Sequence, residues 1–156
     1  MDDDAEPVFD PGPGTAPDGT RLRRGGCACG AVRFELRGEP AQVGVCHCTK
    51  CRKATGAPFF HYANWPRTAF RITGPFATWK GRSFCATCGT RMGHLGDEWV
   101  EMALGAIDEA PGDLRPTREG WIVRREHWLH PVNGAVQAQG DPPKSSPPPP
   151  VTREPR

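Results

Sequence analysis

The sequence predicts a mainly β, antiparallel domain flanked by two disordered tails. Three observations predict it. Apolar residues recur at alternate positions in short runs, the period of a half-buried strand. Glycine and proline punctuate those runs. No window holds a sustained helical period.

Val32, Phe34 and Leu36 alternate with Arg33 and Glu35, which reads as a strand with one buried face. Gln42-Val43-Gly44-Val45 is a short run that leads into Cys46. Lys50 to Thr55 fit one helical turn, ended by Gly56. The segments His61–Trp65, Ala69–Thr73 and Ala77–Lys80 are rich in aromatic and β-branched residues, with Pro66, Gly74 and Gly81 between them. Val100, Met102 and Leu104 alternate again. Trp121, Ile122 and Val123 open a last strand toward Trp128.

Composition sets the domain boundaries. Residues 1–20 hold Pro7, Pro11, Pro13 and Pro17 and six acids without a base. Residues 133–156 hold the run Pro147 to Pro150 as well as Pro142, Pro143 and Pro155. Both stretches are poor in large apolar side chains, so burial cannot offset the entropy of ordering them. The four-proline run favours an extended polyproline II segment. The body is therefore expected at residues 21–132. It carries 17 Lys and Arg against 10 Asp and Glu, a basic balance that suits an anionic partner. No stretch is apolar enough to span a membrane. The acidic start, Met1-Asp2-Asp3-Asp4, lacks the basic and apolar regions of a secretory signal, so a cytoplasmic location is expected.

All seven cysteines lie in three short clusters: Cys27 and Cys29; Cys46, Cys48 and Cys51; Cys85 and Cys88. An odd number excludes a fully paired disulfide framework, and a cytoplasmic chain would rarely keep one. Cysteines one residue apart bridge each other only with strain, yet chelate a soft metal readily. Zinc is the expected metal, with iron–sulfur ligation as the alternative. Four thiolates close a tetrahedron, whereas three leave one position open. Cys46, Cys48 and Cys51 can occupy one face of an ion from a single tight loop. Cys27, Cys29, Cys85 and Cys88 then form a closed site that ties an early strand to a late one. Two zinc ions per chain follow from this division. His47 lies between two presumed ligands and should point away from the metal. His61, His94, His127 and His130 lack ligand spacing. Arg52 and Lys53 could contact an anionic substrate or offset the charge of a zinc–trithiolate site.

Three segments carry a resemblance. They are Gly25-Gly26-Cys27-Ala28-Cys29-Gly30-Ala31-Val32-Arg33-Phe34, Cys46-His47-Cys48-Thr49-Lys50-Cys51-Arg52-Lys53-Ala54-Thr55-Gly56-Ala57, and Phe84-Cys85-Ala86-Thr87-Cys88-Gly89-Thr90. With Leu104-Gly105-Ala106-Ile107-Asp108 and Trp128, they resemble the glutathione-dependent formaldehyde-activating enzyme family, whose domain also occurs in centromere protein V. The resemblance covers about residues 22–130. It implies a β-rich fold similar to that of the Mss4 exchange factor. It implies a structural zinc at Cys27, Cys29, Cys85 and Cys88 and a catalytic zinc at Cys46, Cys48 and Cys51. The implied activity is of carbon–sulfur lyase type and joins formaldehyde to the glutathione thiol.

Three readings of function follow. In the first, the open zinc position holds a thiol as thiolate, which attacks a small aldehyde. In the second, the domain is a non-catalytic zinc-binding module for protein or nucleic acid. The chain shows no basic stripe with aromatic residues for stacking bases, so nucleic acid is not the expected partner. In the third, both metals are structural, and a histidine or carboxylate completes the second site.

Overall fold

The computed structural model describes residues 14–142. The expectations for residues 1–13 and 143–156, the four-proline run included, lie outside the described residues.

The chain opens with β1 (Gly14–Thr15), β2 (Arg21–Gly26), β3 (Arg33–Arg37) and β4 (Gln42–Cys46). A single α-helix follows among the described residues, α1 (Thr49–Thr55). The remaining strands are β5 (Phe60–Pro66), β6 (Phe70–Thr73), β7 (Phe76–Trp79), β8 (Arg82–Cys85), β9 (Arg91–Leu95), β10 (Trp99–Ala103), β11 (Arg118–Gly120) and β12 (Val136–Gln137). One sheet has the order β1-β2-β3-β6, and the other β12-β11-β4-β5-β10-β9-β8-β7. The mainly β expectation is met.

The core lies between the two sheets. Val32, Phe34, Leu36 and Phe70 from the first pack with Val43, Ala63, Trp65, Met92, Val100 and Met102 from the second. In β3 the inward residues are Phe34 and Leu36, as the alternation requires. Strand β2 has no such alternation because it buries a charge. The Arg23 guanidinium donates to Gly38 O at 3.0 Å and to Glu39 Oε2 at 2.8 Å, with Asp113 Oδ2 at 3.2 Å. A buried arginine is tolerated only with such partners, and its strand is hidden from a hydrophobic pattern.

The structure refines two expectations and corrects one. The larger sheet is mixed: β11 runs parallel to both β4 and β12. Residues 104–117 form the long crossover that a parallel entry requires. Trp121–Val123 do not begin a strand. Trp121 adopts left-handed dihedrals, φ 56° and ψ 42°, and Ile122–Arg124 form a 3-10 turn. The strand of this region is Arg118–Gly120, all buried, and its polar sequence conceals it.

The second refinement concerns the residues that flank the body. Gly14–Thr15 pair with Arg21 and Leu22, and Val136–Gln137 pair with Arg118 and Glu119. Ala138 N donates to Glu119 O at 2.9 Å, and Trp121 N to Gly140 O at 2.9 Å. Backbone hydrogen bonding, not apolar burial, orders this segment, so composition does not reveal it. A chain ending at residue 132 should melt about 5–10 °C below one ending at residue 142, because it loses these bonds and the Gln137 donor to Glu119. Calorimetry of the two truncations checks this, and equal melting temperatures would refute it.

Candidate metal centres

The first cysteine group stands where the two sheets meet. Cys27 and Cys29 occupy the turn between β2 and β3, while Cys85 ends β8 and Cys88 lies in the turn that follows it. The four Sγ atoms all lie within 4.8 Å of one another. Cys27 Sγ is 3.4 Å from Cys29 Sγ, which is 3.8 Å from Cys85 Sγ. Four ligands at the zinc–sulfur bond length sit about 3.8 Å apart, so the group fits a tetrahedral ion. Backbone amides point at the sulfurs: Val32 N at 3.2 Å from Cys27 Sγ, and Thr87 N at 3.4 Å and Cys88 N at 3.5 Å from Cys85 Sγ. Gly30 and Gly89, at φ 76° and 77°, close the two turns onto the carbonyls of Cys27 and Cys85. A hydrogen bond with Thr90 holds the Cys88 thiol down to about 6, so it ionises readily for a metal.

The second group is local. Cys46 ends β4, Cys48 is the N-cap of α1, and Cys51 lies in its first turn. Cys48 Sγ accepts from Cys51 N at 3.3 Å. Gly56 ends the helix in the left-handed region. All three Sγ atoms lie within 4.8 Å of one another and are half-buried. The bond from the Cys51 thiol pushes Cys46 down to about 6 and Cys51 up. Among the described residues no histidine, aspartate, glutamate or further cysteine joins the group.

His47 turns inward between Cys46 and Cys48 and is buried. Its Nε2 lies 2.7 Å from Glu119 Oε1. Glu119 also accepts from Gln137 Nε2 at 2.7 Å and Val132 N at 3.0 Å, with Arg125 Nη1 at 3.4 Å. One buried carboxylate thus connects the three-cysteine loop to β11, β12 and the segment before β12.

Beside Cys46, the outer face of the larger sheet carries an aromatic strip. Cys46 pairs with Phe60 and Gly44 with Tyr62, so these side chains share a face. The rings of Phe60 and Tyr62 stack with centroids 5.7 Å apart. A Cβ on Gly44 would sit 2.7 Å from Tyr62, so only glycine lets that ring lie over β4. The Arg91 guanidinium covers the Phe60 ring, 4.5 Å from its centroid.

The family model described as glutathione-dependent formaldehyde-activating enzyme matches residues 22–124. The chain belongs to this family. No curated protein matches it.

For this member of the formaldehyde-activating family, the structure brings together the cysteines as the spacing grouped them. It separates Arg52 from Lys53. Arg52 donates to Arg124 O at 3.0 Å and ion-pairs with Glu126, so it fastens α1 to the segment after β11. Lys53 is exposed and faces a cavity. His61 is half-buried, and burial lowers its pKa. His94, His127 and His130 are exposed. Glu119, Tyr62 and Arg91 were not visible as site residues in the sequence. The one signal for Glu119 was indirect: a histidine held between two ligands must face inward, and a buried histidine needs a partner. No helix among the described residues is long and apolar enough to cross a membrane.

Proposed function

We propose that the chain is a zinc-dependent enzyme of carbon–sulfur lyase type that joins a thiol to formaldehyde or a related small aldehyde. Glutathione is the candidate thiol that the family suggests. In this reading Cys27, Cys29, Cys85 and Cys88 hold a structural zinc, and Cys46, Cys48 and Cys51 hold a catalytic one. The observation that carries it is the convergence of three half-buried sulfurs with no histidine, carboxylate or further cysteine as a fourth donor among the described residues.

A zinc ion with three thiolate ligands and one open position lowers the pKa of a thiol and keeps it nucleophilic near neutral pH. The chain supplies the rest. The Cys48 cap on α1 and the His47–Glu119 bond fix the loop that presents the three sulfurs. Phe60 and Tyr62 pack beside Cys46 as a buried apolar wall and keep water from that side of the loop. In the reaction the sulfur–carbon bond forms as the carbonyl π bond breaks, and the thiol proton passes to the carbonyl oxygen. No oxidant or reductant is needed.

Two measurements test the reading. The purified chain should contain about two zinc ions, and Cys48→Ser about one, with the domain still folded. Exchange NMR at equilibrium should show faster interconversion of glutathione and its formaldehyde adduct with the parent chain than with Cys48→Ser. Equal rates across several thiols and aldehydes would reject the enzyme in favour of a non-catalytic zinc-binding module.

A further inference from the structure

A cavity of about 490 Å³ opens between α1 and the β7–β8 hairpin, next to the three-cysteine loop. Five of its lining residues are cations. Lys50 and Lys53 lie one turn apart on α1, on either side of Cys51. Lys80 and Arg82 come from the hairpin and Arg91 from β9. Among the described residues, no aspartate or glutamate lines the cavity. None of the five makes an ion pair with a carboxylate among the described residues. Glu101 of β10 acts as an opposing charge on Arg82 and Arg91. Burial draws Arg91 below the usual guanidinium range, while the neighbouring Cys51, Glu101 and Cys48 oppose that shift. Arg91 also lies over the ring of Phe60, the cross-strand partner of Cys46, and so joins the cavity to the cysteine site.

The hairpin is shaped to present its charges. Lys80 takes a left-handed conformation, φ 47°, beside Gly81 at φ 78°, the pattern of a two-residue type I′ turn. Its ammonium sits 5.0 Å from the centroid of Trp79, which is 60% exposed. The cavity thus offers two aromatic rings, Trp79 and Phe84, among five cations, at a volume suited to a small molecule.

Glutathione, with two carboxylates and one ammonium, carries a single net negative charge and would neutralise only part of this field. We propose that the cavity binds the non-reacting end of the substrate, and that this end is multiply anionic, bearing a phosphate or several carboxylates. The inference rests on the proposed thiol–aldehyde chemistry, whose reacting atoms would lie at Cys46, Cys48 and Cys51. The aliphatic stretch between the charges and the thiol would lie on Trp79.

Matched probe pairs test this on the zinc-loaded full chain. Calorimetric titration compares 4′-phosphopantetheine with pantetheine, and mercaptosuccinate with mercaptoethanol. The more anionic member of at least one pair should bind about tenfold or more tightly, as two or more partly exposed ion pairs provide. That preference should shrink as salt rises. It should collapse in Lys53→Ala/Arg82→Ala, and also in Lys80→Ala, an exposed turn position that tolerates the change without unfolding, with the zinc content unaltered. The pair that responds distinguishes phosphate from carboxylate. Equal binding within both pairs, or a preference that survives both variants, overturns the inference. Thiol–aldehyde exchange that is equally fast with both members of each pair also overturns it, and leaves the proposed function standing. Selective anion binding without any exchange rejects the proposed function and keeps the cavity as an anion site. Tighter binding of a single-stranded oligonucleotide than of every small probe overturns the small-molecule assignment.

Discussion

Cys85→Ser should yield a chain that does not fold. Cys85 is buried at the end of β8, and its sulfur accepts from two backbone amides. The group it belongs to fastens the β2–β3 turn of one sheet to the β8–β9 turn of the other. Structural zinc binding contributes about 10–16 kcal/mol of folding free energy in small metal-dependent domains. A domain of this size has a net stability of only about 5–15 kcal/mol, so loss of a zinc held by this group would remove the whole margin. Far-ultraviolet circular dichroism and solubility report the outcome, and a strong chelator should reproduce it in the parent. A soluble Cys85→Ser chain melting within about 5 °C of the parent would show that this group does not hold the fold. Unfolding of Cys48→Ser instead would exchange the roles of the two groups.

Glu119→Ala should cost about 3–5 kcal/mol, the penalty for removing one member of a buried charged network. The loss is larger than that of one hydrogen bond because His47, Gln137, Val132 and Arg125 all lose a partner together. Chemical denaturation measures it, and a change below about 1 kcal/mol would show the network to be incidental.

Glu119→Gln gives the pH dependence. Burial alone would raise the Glu119 carboxyl. The donors Val132 N, Gln137 and His47, with Arg125, outweigh it and hold the folded-state value below the ordinary 4.5. Its stabilisation is therefore complete above about pH 4.5 and disappears as pH falls through the lowered folded value. The melting temperature of Glu119→Gln should lie below that of the parent at neutral pH, and the gap should close in acid. A gap that stays constant with pH would exclude the carboxylate charge as the cause. Because His47 lies between Cys46 and Cys48, Glu119→Gln should also weaken the second metal and spare the first. Elemental analysis after mild chelation separates the two.

Much of the site was legible because its signals are local. Cys46, Cys48 and Cys51 lie within one turn, where chain geometry alone decides that they can share an ion. Val32, Phe34 and Leu36 announced their strand because a half-buried strand imposes a two-residue period. The helix beginning at the Cys48 cap and ending at Gly56 was readable for the same reason. Strands β2 and β11 were not, since they bury Arg23, Arg118 and Glu119 and so carry polar sequences into the interior. Their burial is possible only through partners such as Asp113 and His47, which no local window contains.

The sequence by itself determined the mainly β class, the family and the division of seven thiols into four and three. Each depends on residue type and short spacing. Tertiary structure alone decided that β11 enters parallel to β4, that residues 133–142 extend the sheet, and that Glu119 supports the three-cysteine loop. It also decided that Lys50, Lys53, Lys80, Arg82 and Arg91 converge on one cavity, although they are scattered over more than forty positions. The physical reason is the same in each case. Hydrogen bonds and charge act through space over a few ångströms, and only the folded chain sets which distant residues come that close.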